Sequence, residues 1–213
     1  AGVWEALRGL FGQTLVLLVP AIAVTGPFTA GAAYITRNWA RDEHAFVLSD
    51  YWDTVKANWK QGLLTSLITS IVPLLLYVCT TFYGDLAKTS VLYVVPQVLC
   101  VMLGLVWLCG LLYMYPQMVT YEMSFPTLVR NSFIMAVGRL PQTVGIKLLS
   151  TVPTLLAALL MLVTPYAVIV MLVYGLYYVP LGFALSRFVG ASYANGVFDR
   201  FIHPRIAGAQ VGR

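Results

Sequence analysis

Charge is what this chain has least of. Only 10% of its 213 residues are Asp, Glu, Lys or Arg, whereas soluble domains carry about a quarter. With a mean hydropathy of +0.82, that shortage excludes an ordinary soluble globular domain. Histidine is scarce too: there are two, and no HExxH pattern, which removes the usual zinc-hydrolase signature. His203 reads as a lone interfacial side chain, and the cluster Arg41 to His44 reads as charges pairing at a solvated helix end. No GxxxxGK[ST] loop occurs, so any coupled ATP hydrolysis must come from a partner. The cysteines Cys79, Cys100 and Cys109 fall in apolar stretches without metal-ligand spacing, and neither a metal nor another cofactor is expected. All eight acidic residues sit in or beside loops. Proton-driven carriers commonly keep a carboxylate inside the membrane, so such a pump is not expected, and no enzymatic activity is expected either.

Long charge-free runs fill the rest: Gly9 to Thr36, Gln61 to Gly84, Thr89 to Tyr121 and Leu148 to Ser186. Each exceeds the roughly 18 apolar residues that mark a spanning helix. The last run would measure about 58 Å as one helix, against a hydrocarbon core of about 30 Å. Thr164-Pro165 offers the turn that divides it. The expectation is an all-α integral membrane protein with five transmembrane helices: Leu10 to Tyr34, Leu63 to Phe82, Val91 to Tyr115, Thr143 to Val163 and Tyr166 to Phe188. Leu10 to Tyr34 runs too long for a signal peptide and lacks a cleavage site, although a chain beginning with Ala need not show its native start.

Lys and Arg in short loops set orientation. Placing the first loop in the cytoplasm puts eleven of them on that side, including Arg139, Lys147 and Arg187, and leaves Arg8 and Lys88 outside. The N-terminus is therefore expected outside and the C-terminus in the cytoplasm. The net charge of +5 is explained by this bias, with no nucleic acid partner implied.

Near the end of the first span stands "TGPFTAGAAYIT". Proline inside a helix frees a carbonyl, and membrane helices tolerate it where a neighbour supplies a donor. Gly26, Ala30 and Ala33, with Thr29, present small surfaces at helical spacing, which suits close helix packing. The alternative is a broken helix restarting at Pro27 with Thr25 as its cap, its free amides lining a solute path. Among the polar residues of the spans, Gln13, Thr65, Ser66, Thr69, Ser70, Thr80, Thr81, Ser150 and Thr151 read as hydrogen-bonding glue, while Gln97, a lone amide, is a solute-path candidate.

Two cytoplasmic interfacial amphipathic helices are expected. In and just before "SDYWDTVKANWKQ", Leu48, Trp52, Val55 and Trp59 recur at helical spacing, with Lys56 and Lys60 beside them and Ser49 or Asp50 as cap. Trp52, Val55, Lys56, Trp59 and Lys60 are accordingly partner-interface candidates, against lipid headgroups or a protein. "FPTLVRNSFIMAVGRLPQ" follows the third span with a similar layout. Residues 1–213 read as one membrane domain, with parallel two-helix repeats at 49–118 and 125–188.

The stretch "TGPFTAGAAYITRNWARDEHAFVLSDYWDTVKANWKQ" resembles the signature of the YesL family, small bacterial membrane proteins built around a domain of unknown function. The likeness rests on the Gly-Pro and small-residue run, the basic segment after it, and Asn58-Trp59-Lys60-Gln61. It implies a place in the bacterial cytoplasmic membrane beside sugar-uptake transporters of the ATP-binding-cassette (ABC) type or sensor kinases, with no established activity. The Glu-Ala-Ala coupling pattern of the transporters' permease subunits is absent. The leading expectation is a non-enzymatic accessory subunit of a carbohydrate (oligosaccharide) importer or its sensor. The alternative is a solute carrier or permease in its own right, oligomeric, with a sugar as small-molecule ligand.

Cysteine labelling in intact cells tests the orientation. A thiol introduced near Asp85 should react with an impermeant reagent while thiols near Asp53 and Arg139 stay protected, and the opposite pattern inverts the topology.

Overall fold

The computed structural model describes residues 2–202, so the expectation for His203 lies outside the described residues. Those residues form eight α-helices: α1 (Gly2–Trp39), α2 (Val47–Ala57), α3 (Trp59–Ala87), α4 (Val94–Thr120), α5 (Phe125–Gly138), α6 (Leu140–Val163), α7 (Ala167–Tyr177) and α8 (Phe183–Phe201). A short 3-10 turn, Val91–Tyr93, leads into α4, and no strand occurs among the described residues.

Four segments are long and apolar enough to cross a membrane: Glu5–Trp39, Trp59–Ala87, Val91–Thr120 and Leu140–Val163. The fifth expected span is not a helix of that kind. The chain turns between Val163 and Ala167, as Thr164-Pro165 suggests, but α7 has only 11 residues before a π-helical turn, Tyr178–Gly182, joins it to α8. Pro180 accounts for that turn. It has no N–H to continue the i→i−4 ladder, so the register slips by one residue and the chain resumes as α8.

α2 links the end of α1 to the start of α3, and α5 links the end of α4 to the start of α6, so both short helices lie at one end of the bundle. Each meets the long helix after it at a single non-α residue, Asn58 (φ −107°, ψ 14°) or Arg139 (φ −130°, ψ 36°). α2 begins earlier than the sequence suggests. Its N-cap is Phe46 rather than Ser49 or Asp50, and Asp50 instead accepts a hydrogen bond from the Phe46 N–H at 2.9 Å, meeting one of the orphan amides of a helix start.

The core lies at this same end. Tyr113, Ala136, Ala194, Val197 and Phe198 form one buried cluster between α4, α5 and α8, while Ala30, Ala33, Tyr115, Met118 and Leu128 form a second between α1, α4 and α5. Tyr113 Oη and Thr143 Oγ1, 2.8 Å apart, tie α4 to α6, and Asn195 donates to the Arg37 carbonyl at 3.3 Å, meeting an orphan acceptor at the end of α1. At the far end large apolar side chains such as Leu103, Leu162 and Val163 are exposed. That surface suits hydrocarbon.

α1 is one continuous helix through Pro27, so the broken-helix expectation does not hold. Thr25 donates backward to the Ile22 carbonyl at 2.7 Å instead of capping a new start. Pro27 cannot donate to the Ala23 carbonyl four residues earlier, and Ser66 of α3 supplies that hydrogen bond. Its approach requires glycine on both helices. A Cβ on Gly26 would collide with the Gly62 carbonyl and the Ser66 hydroxyl, and one on Gly62 would stand 2.9 Å from the Pro27 nitrogen. Ala30 is fully buried and Ala33 nearly so.

Gly26→Ala should therefore destabilise the protein by about 1–3 kcal/mol, because backbone atoms must shift to admit the methyl group. Ala30→Leu should act in the same direction. Ser66→Ala should cost less, roughly 0.6–1.7 kcal/mol, by leaving the Ala23 carbonyl without its donor. Gly145, where a Cβ meets nothing within 4 Å, is the control. Thermal unfolding in detergent should rank Gly26→Ala well below Gly145→Ala; equal midpoints would remove the α1–α3 contact from the account.

Candidate functional site

Above the core, α1, α3, α4, α6 and α8 diverge around a cavity of about 320 Å³. Its wall is mixed, with polar side chains set among apolar ones such as Ile22, Leu111, Leu112 and Phe183. α1 contributes Thr25, Thr29 and Thr36, α3 contributes Ser66 and Thr69, α4 contributes Tyr115, and α6 contributes Lys147 and Ser150. Tyr178 comes from the π turn, and Ser186 and Arg187 come from α8.

Lys147 is the eighth residue of α6, about 10 Å along it. Arg187 stands on the first turns of α8. Both are half-buried, and they lie within repulsive range of each other. Among the described residues neither forms an ion pair, and no carboxylate lines the cavity. Arg187 lies over two rings instead, with its guanidinium carbon 5.9 Å from the Tyr115 centroid and 5.2 Å from that of Phe183. Such contacts orient the cation without neutralising it. The sequence reading placed Lys147 and Arg187 among the cytoplasmic loop charges; they stand instead on helices inside the bundle.

The hydroxyls have a common orientation. Thr29 donates to the Thr25 carbonyl at 2.9 Å, Thr36 to Ala32 at 2.9 Å, Thr69 to Thr65 at 2.7 Å and Ser150 to Lys147 at 2.9 Å. Thr25 and Ser66 commit their protons to Ile22 and Ala23 as described above. A hydroxyl whose only proton is committed to backbone can still accept, so these oxygens offer lone pairs. Trp107 uses one of them, donating its indole N–H to Thr69 at 3.1 Å.

Of the solute-path candidates, Thr25 and Ala33 line the cavity, while Gly26, Pro27 and Ala30 belong to the packing beside it. Gln97 is elsewhere, reaching from α4 to the Thr80 carbonyl of α3 at 3.4 Å near the far end of the bundle. The fully buried amide is Gln117, which donates to Met135 Sδ at 3.1 Å. Sequence alone did not distinguish the two.

The interface candidates divide. Val55 is buried with Tyr51 against Gly31 of α1, where a Cβ would come within 2.9 Å of either side chain, and burial holds the Tyr51 phenol above its ordinary pKa. Trp52 packs edge-on against Phe28 yet stays 46% exposed, and Trp59 is 50% exposed with Lys60 Nζ over its ring. Lys56 pairs with Asp53 at 3.7 Å on the open side of α2. Glu43 pairs with Arg41 at 2.8 Å and Arg37 at 3.8 Å, as a charge cluster at a helix end does.

A family model described as "Protein of unknown function, DUF624" matches residues 7–79, about a third of the chain. The matched stretch contains both halves of the α1–α3 contact, together with α2. No curated protein and no solved structure gives a significant match.

Proposed function

We propose that this chain is a five-span protein of the bacterial cytoplasmic membrane that binds a small polar solute within its bundle and acts as a carrier or permease component. The supporting observation is the cavity wall: two cations that form no ion pair among the described residues, together with hydroxyls from several apolar helices. An ionisable residue at membrane depth costs about 2.5–3.5 kcal/mol and marks a functional site by default, solute paths among them. The fifth crossing in this reading is α7 with the π turn and the start of α8, and the orientation is that of the Lys and Arg bias. Membership of the YesL family belongs to the same proposal, supported by the match over residues 7–79, which contains the stretch from Thr25 to Gln61 that carries the likeness. The parallel repeats are likewise proposed, supported by the two similar corners at Asn58 and Arg139.

In a background with Cys79, Cys100 and Cys109 replaced, a cysteine at Ser150 or Ser186 should react with N-ethylmaleimide in membrane vesicles. A cysteine at Leu159, on an exposed apolar face, should react slowly because thiolate formation is suppressed in lipid. Unreactive cysteines at both cavity positions would overturn the solute-binding reading.

The accessory-subunit reading is the second, favoured by one feature. Phe46, Leu48, Trp52 and Trp59 are exposed apolar side chains on and beside α2, at the end of the bundle assigned to the cytoplasm. If that face holds an importer subunit or a sensor, Trp52→Ala with Trp59→Ala should leave membrane insertion intact and strip the subunit, identified by mass spectrometry, from the solubilised complex. Retention of the subunit would leave α2 to the lipid headgroups.

A further inference from the structure

Resting on the solute-binding reading, we infer that the cavity is selective for an anion that also carries hydroxyl groups: a carboxylate or phosphate on a polyhydroxylated frame of about one sugar ring. Charge is the first argument. Lys147 and Arg187 reach the cavity from different helices, no carboxylate among the described residues lines it, and each cation raises the cost of the other. An anionic ligand reverses that balance, since it is attracted to both, and burial strengthens the attraction. The guanidinium can hold two oxygens of a carboxylate or phosphate side by side, while the ammonium acts as a compact point charge.

Hydroxyl orientation supplies the second argument. Thr25, Thr29, Thr36, Ser66, Thr69 and Ser150 have committed their protons to backbone carbonyls, so the groups facing the cavity from α1, α3 and α6 are acceptors. A bare inorganic anion would meet oxygen lone pairs on those walls. A ligand with hydroxyl donors satisfies them while its acidic group occupies the cationic side. Polarity across the site thus matches a molecule with an acid at one end and alcohols along its body.

Size is the third. At about 320 Å³ the cavity falls at the small end of the roughly 300–1,000 Å³ typical of small-molecule sites. A single acidic sugar suits that volume better than an oligosaccharide. The same chemistry is present in the glycerol phosphate headgroup of phosphatidylglycerol, so the acid can come from free solute or from lipid.

Protection of the Ser186→Cys thiol separates these cases. The protein, with its native cysteines replaced, is reconstituted in phosphatidylcholine vesicles and treated with N-ethylmaleimide alone or with millimolar glucuronate, glucose 6-phosphate, inorganic phosphate or glucose. Expected is at least tenfold slower modification with the two sugar acids, weaker protection by inorganic phosphate and none by glucose. Lys147→Gln and Arg187→Gln should each abolish protection, while Lys147→Arg, which keeps the charge and guards against a folding artefact, should retain it. Protection by phosphatidylglycerol in the vesicles, with no effect of soluble acids, assigns the same chemistry to a headgroup. If the thiol reacts freely and neither acids nor phosphatidylglycerol protect it, or glucose protects equally, the anion assignment is overturned while the cavity stands. If the thiol does not react at all, the solute-binding reading fails first.

Discussion

Everything above the core depends on the place where α1 and α3 touch backbone to backbone. Gly26 and Gly62 remove two side chains from the crossing, and Ser66 then reaches the carbonyl that Pro27 leaves without a donor. In water such a carbonyl would be solvated at little cost. In hydrocarbon it must be met within the protein, so proline, serine and the glycine pair form one interdependent unit. That unit also fixes the register of the two helices, bringing Thr25 and Thr29 to one wall of the cavity and Ser66 and Thr69 to another.

Much of this was legible in sequence, for physical reasons. Charge-free runs mark apolar solvent whatever the tertiary packing, so four spans and the turn at Thr164-Pro165 could be read directly. Small residues at helical spacing in α1 announced close packing: Gly26 meets α3, while Ala30 and Ala33 are buried against α4 and α5. What sequence could not give was the other partner. Gly62 and Ser66 lie in an ordinary apolar helix, and only the α1–α3 geometry makes them matter.

Lys147 and Arg187 were misread for a related reason. Counting Lys and Arg at span ends treats each as a snorkelling loop charge, and a lysine two turns into a helix passes that count. A sequence signal did exist: no acidic residue lies near either one along the chain, whereas Arg37 and Arg41 have Glu43 close by. The last apolar run is less regular than its hydropathy suggests, because hydropathy does not register the proline-driven slip to a π turn that interrupts it. Gln97 and Gln117 show the same limit, since two amides in one apolar helix differ only in what faces them.

Serine and threonine have two roles here that arise from one bond. Each donates its proton to a carbonyl of its own helix or its neighbour's, which is why they read as structural glue. The donation also turns the oxygen's lone pairs away from the backbone it satisfies. On a lipid-facing surface those lone pairs would go unused; around the cavity the hydroxyls border the same small space as two cations. The stability of the helices and the polarity of the site thus come from the same hydroxyls, and a ring of alanines would pack comparably while leaving the cations an apolar surround. Gly190 makes a similar double contribution on α8: a Cβ there would stand 3.0 Å from Leu112, so its absence lets α8 close against α4 beside the turn that carries Arg187. Close packing at the glycines and open space at the hydroxyls are complementary consequences of small side chains, and together they let an apolar bundle hold a charged interior.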